Sequence, residues 1–120
     1  MKKIKILHVG LSHNMGGIET YLINMYRNID KNKFELNYLA LKGKDACFND
    51  ELSKGGSRLF YVEHRRKNYL KFLRDVKEVL ISNKFDYIHF HLMEFSCFEI
   101  ILLAQRYSSA KVILHSHIAN

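Results

Sequence analysis

Apolar and polar positions change period along the chain in a regular way. Residues 3–9 are rich in β-branched and apolar side chains and stop at Gly10, which predicts a strand. A polar loop follows, closed by Gly16 and Gly17. Beyond it Ile18, Tyr21, Leu22, Met25 and Ile29 recur every three or four residues, the spacing of one helical face. Residues 34–41 predict a second strand. Residues 45–54 predict a short helix stopped by Gly55 and Gly56. Residues 58–62 predict a third strand. Tyr69, Phe72, Leu73, Val76, Val79 and Leu80 make a helical stripe, with Lys67, Lys71, Arg74 and Lys77 largely off it. Residues 87–91 predict a fourth strand, 94–107 an apolar helix and 111–115 a fifth strand.

Strand and helix alternate with short connections, which argues for a parallel sheet with helices on both faces. Right-handed crossovers wind it in both directions. The expected fold is therefore α/β: a Rossmann-like, doubly wound sheet in a three-layer α/β/α stack, its five strands in the order 3-2-1-4-5. With 120 residues, the chain has room for one core and not two. The fifth strand is expected at an exposed edge, beside an apolar patch.

Composition narrows the picture. No apolar run approaches the roughly 20 residues that span a bilayer, and the run before His8 is too short for a signal sequence. With two distant cysteines, Cys47 and Cys97, the reading is a cytoplasmic protein with reduced thiols. The net charge of +7 favours anionic partners. Nucleic acid is not among those expected, because no recognition-helix motif or aromatic stacking strip accompanies the charge.

Chemistry in such a sheet belongs beyond the carboxyl ends of its strands, between the first and fourth. Three features fall there. Gly16 and Gly17 precede a helix whose unpaired N–H groups suit phosphate or carboxylate; a plain turn is the alternative. His89 and His91 close the fourth strand, and His115 and His117 the fifth. Residues at i and i+2 share a strand face, so four imidazoles can gather at one edge. Base, hydrogen-bond partner, zinc or iron ligand and purely structural histidine all stay open. The glycines lack G-x-G-x-x-G spacing, and G-K-[ST] is absent, as is a G-x-S-x-G elbow at Ser96 or Ser116. The first strand ends without the acidic pair that a receiver domain needs for Mg²⁺.

Taken in order, three segments resemble the family-four GT-B glycosyltransferases. Asn14, Met15, Gly16, Gly17, Ile18 and Glu19 are similar to the family's G-G-[AI]-E loop. Residues 86–91 resemble its D-[VI]-[VI]-H-x-H strand, and residues 112–117 the next strand, which ends in histidine. The likeness is strongest to the subgroup that builds capsular and extracellular polysaccharides. It implies an acceptor-side N-terminal domain (residues 1–120) of a sugar transferase that uses a nucleotide-sugar donor and a glycan or lipid-linked acceptor. It further implies donor phosphates at Gly16 and Gly17, an acceptor pocket with His91, Asn14 and Glu19, and catalysis near His115 or His117. No metal and no cofactor are implied. The donor-binding domain is expected to be missing, leaving this piece inactive alone. A non-catalytic module working with a partner subunit is the alternative. Basic residues 64–68 with Lys71, Arg74 and Lys77 would give peripheral contact with the anionic inner face of a membrane.

Overall fold

The computed structural model describes residues 2–92 and 98–116. It contains strands β1 (Ile4–Val9), β2 (Phe34–Leu41), β3 (Leu59–Val62), β4 (Tyr87–Leu92) and β5 (Lys111–Ser116). Between them run helices α1 (Gly17–Asn28), α2 (Asn49–Lys54), α3 (Tyr69–Ser82) and α4 (Phe98–Tyr107). All strand pairs are parallel and the sheet order is β3-β2-β1-β4-β5, as the alternation predicts.

Strand alternation splits the apolar residues into two cores. Leu7, Val9, Leu39, Val62, Ile88 and Phe90 pack against Phe72, Val76 and Leu80 of α3 and Ile100 and Ala104 of α4. Leu36, Tyr38 and Ala40 pack on the opposite face against Ile18, Leu22, Ile23 and Tyr26 of α1 and Leu52 of α2. Burying a side chain such as Ile88 or Leu22 stabilises the fold by about 2–3 kcal/mol. The Asn68 side chain accepts a hydrogen bond from the Lys71 N–H and caps α3, worth about 1 kcal/mol.

The second helix starts four residues later than the sequence predicts. Its expected first turn spends its donors elsewhere: the Ala46 N–H on the Tyr61 hydroxyl, and the Cys47 N–H on the Ser12 carbonyl. Phe48 then enters the helix at φ 62°, a left-handed residue that no periodicity announces. At the other side β5 is an edge strand, with Ile113 and Leu114 exposed, and Phe98 and Leu102 of α4 are exposed as well. Among the described residues no helix is long and apolar enough to cross a membrane.

Candidate functional site

Parallel pairing puts His8 of β1 level with His89 of β4, and His91 of β4 level with His115 of β5. All four side chains stand on the face that carries α1. His8 and His91 are buried, while His89 and His115 are half-buried. His8 Nδ1 and His91 Nε2 share a hydrogen bond of 2.9 Å. The His89 ring lies 4.1 Å from that of His91 and 5.4 Å from that of His115. Tyr21 of α1 closes over them, its ring 5.6 Å from His91 and edge-on to His115 at 5.2 Å. Tyr38 stacks on the far side of His8 at 5.5 Å.

This cluster is electrically constrained. Burial first, and repulsion from His89 second, lower His8 to a pKa of about 3, so it is neutral at physiological pH. Burial also pushes the Tyr38 phenol up. Two buried polar atoms here, His8 Nε2 and the Tyr38 hydroxyl oxygen, have no hydrogen-bond partner among the described residues.

A cavity of about 390 Å³ opens beside the cluster, above the carboxyl ends of β1, β2 and β3. Val9, Leu11, Ile18, Leu39 and Phe72 give it apolar walls. Gly10 and His91 form part of its floor, and His64, Arg65 and Arg66 of the β3–α3 loop contribute basic groups. Gly10 is required there by two independent facts: its φ is +134°, and a Cβ would stand 3.0 Å from both the Cβ and the carbonyl oxygen of His91.

The predicted residues separate into distinct places. His91 lines the cavity; His115 belongs to the imidazole cluster behind it. His117 and Cys97 lie outside the described residues. Gly16 and Gly17 sit exposed at the start of α1, where no side chain caps the helix. Gly16 is in extended backbone, and space around Gly17 is open. Asn14 is exposed, its N–H donating to Ser12 Oγ.

Glu19 is buried and turned toward the loop instead of the cavity. Its Oε2 accepts from the Ser12 N–H at 3.1 Å and the Ser12 hydroxyl at 3.0 Å. It therefore ties the β1–α1 loop to the helix that follows. Replacing Glu19 with alanine leaves the Ser12 N–H without this acceptor and is expected to cost about 1–2 kcal/mol. The shift in urea midpoint measures it; an unchanged midpoint would show that the loop is held by other contacts.

Of the basic segment, Arg65 pairs with Glu99, Lys71 and Lys42 share Asp75 at 3.3 and 3.4 Å, and Lys77 lies over the Tyr107 ring. Lys67 and Arg74 are exposed. Sequence reasoning missed His8, Gly10 and Tyr21 as site residues, and read Arg65 and Arg66 only as a membrane-facing run. Only knowledge of strand register finds His8, because nothing local sets it apart from an ordinary strand residue.

Comparison with known proteins agrees with this architecture. A Bacillus subtilis (strain 168) protein named "Putative glycosyltransferase EpsF" is 34% identical over 116 residues, a match covering 94% of this chain and 30% of that protein. Among solved structures, MurG of Acinetobacter baumannii superimposes with a TM-score of 0.66 at 12% identity, covering 94% of this chain and 34% of MurG. The C-terminal domain of the PF1911 hydrogenase of Pyrococcus furiosus gives 0.62 at 18% identity, covering 96% of this chain and 93% of that domain. At these identities the two structures show the fold alone. The chain spans about a third of the length of EpsF and of MurG. The family model for Glycosyltransferase Family 4 matches residues 15–120, and the chain belongs to that family.

Proposed function

We propose that this chain is the acceptor-side domain of a glycosyltransferase that moves a sugar from a nucleotide-sugar to a glycan or lipid-linked acceptor in polysaccharide biosynthesis. The observation that carries this reading is the cavity: apolar walls and an arginine-bearing side at the carboxyl edge of the sheet, next to the uncapped start of α1. Apolar walls suit a lipid-linked acceptor or a sugar face. Arg66 suits a phosphate on that acceptor, since guanidinium presents paired donors to such an anion, while Arg65 is held by Glu99.

The donor diphosphate is assigned to the N-terminus of α1. There the first N–H groups have no side-chain cap, and Gly17 leaves the approach open. His115, one residue from the end of β5, is assigned to the transferred sugar, and His91 to the acceptor cavity. Most of the charge stabilisation for the leaving diphosphate would come from a second domain across a cleft. Exposed Lys67 and Arg74 suit peripheral contact with an anionic membrane, and the proposed location is the cytoplasmic side of it.

Calorimetry with nucleotide-sugars tests the division of labour. The 120-residue chain is expected to bind them weakly, and a polypeptide joining it to a donor-binding domain to bind them well. In that longer polypeptide Gly17→Leu is expected to weaken donor binding at least tenfold while the fold is kept, because its Cβ meets nothing within 4 Å. Tight donor binding by the short chain alone sinks the proposal. Donor binding unaffected by Gly17→Leu removes the α1 loop from the site.

A further inference from the structure

We propose that His8, His89 and His91 form a zinc site that joins β1 to β4 beneath the cavity. Each offers one ring nitrogen, and the three nitrogens lie within 4.8 Å of one another. Zinc holds imidazole nitrogens at about 2.0–2.1 Å, so a tetrahedral set spaces them about 3.3 Å apart. The His8–His91 pair is already at 2.9 Å, and the remaining adjustment is within side-chain reach. An ion at the centre exchanges that hydrogen bond for two coordinate bonds.

A second observation is the cost of placing a histidine here: zinc would bind His8 through Nδ1, the atom that faces His91, and Nε2 keeps no partner of its own among the described residues. His8 is fully buried. Burying an imidazole nitrogen without a partner costs about 1–3 kcal/mol, and an unmodified parallel sheet would carry valine or isoleucine here at no such cost. A ligand role explains why imidazoles occupy adjacent strands at matching heights. The backbone that presents them is rigid, since all three sit on hydrogen-bonded strands in the middle of the sheet.

Imidazole ligands suit zinc, copper, iron and nickel, and of these zinc is the redox-inert ion most often held in a tetrahedral set. Three neutral ligands leave a fourth position for a solvent molecule, and loss of a proton from it removes part of the buried charge. His91 borders the cavity, which gives the ion and that solvent a route in. The site is assigned to holding the strands together. It shares His91 with the proposed acceptor cavity, but its argument and its test do not depend on the sugar-transfer proposal.

The test uses the 120-residue chain stripped with a chelator and titrated with zinc chloride, followed by elemental analysis after gel filtration. One zinc per chain is expected, together with a zinc-dependent rise in melting temperature. Cobalt(II) in its place is expected to show the visible absorption of a four-coordinate site. His89→Asn, at a half-buried position, should weaken zinc binding on the order of 100-fold and abolish the cobalt spectrum. His13→Ala, on the exposed loop, should change neither. No zinc retained by the wild-type chain overturns the proposal, whatever the variants do. So does zinc that persists in His89→Asn, or zinc lost in His13→Ala. Circular dichroism of His89→Asn confirms the fold, and His8→Phe provides a second variant in the same set.

Discussion

Gly10→Ala is expected to destabilise the domain by about 3 kcal/mol and lower its melting temperature on the order of 10 °C. Two costs combine. At φ +134° the backbone is in a region that residues with a Cβ rarely adopt. The new methyl would also stand 3.0 Å from the Cβ and the carbonyl oxygen of His91, atoms of a central strand that has little room to give. Gly43→Ala separates the two, since Gly43 has φ +116° but nothing within 4 Å of its added Cβ. That variant is expected to show only the backbone cost, about 1 kcal/mol. Equal losses in both would mean the approach to His91 contributes nothing. Because His91 lines the cavity, Gly10→Ala is also expected to displace the cavity wall.

Stability of the chelator-treated chain is expected to fall by about 2 kcal/mol between pH 6.5 and pH 5. His8 is the source. Its folded pKa of about 3 lies below its ordinary value of 6.5, so the unfolded chain binds a proton first as the pH drops. The contribution is complete above pH 6.5 and is lost progressively down to about pH 3. The rings facing His8 are His89, His91 and Tyr38, with Tyr21 and His115 beyond His91. The hydrogen bond from Arg27 lowers Glu51; burial opposes the shift at Asp75, but hydrogen bonds from the Glu63 N–H and Lys71 lower it. Carboxylates with depressed pKa lose their contribution only below their ordinary values of 4.5 and 3.8, outside this window. Urea midpoints at half-unit pH steps measure the slope. His8→Phe keeps a planar ring against Tyr38 and is expected to flatten it. The same slope in both proteins would place the titration on another histidine.

Period was readable wherever one kind of side chain repeats. Leu7 and Val9 alternate with His8 in β1, and Phe72, Val76 and Leu80 recur along α3, because each element buries one face. Gly16 and Gly17 ahead of α1, and the histidine pairs closing β4 and β5, mark a candidate edge for a different reason: ligands of such sheets bind beyond the carboxyl ends of the strands. The second helix was misjudged at its start because Tyr61 and Ser12, distant in sequence, take the backbone donors of residues 46 and 47.

By itself, then, the sequence determined the strand and helix order and the parallel sheet, since these follow from local periodicity and short connections. The tertiary structure alone decided which side chains meet. Strand register brought His8 to His89 and His91, although 81 and 83 residues separate them. Close packing made Gly10 obligatory under His91. Burial turned Glu19 from an ordinary first-turn charge into the clasp of the β1–α1 loop. Each of these rests on the distance between atoms far apart in the chain, and residue order carries no such distance until the strands have paired.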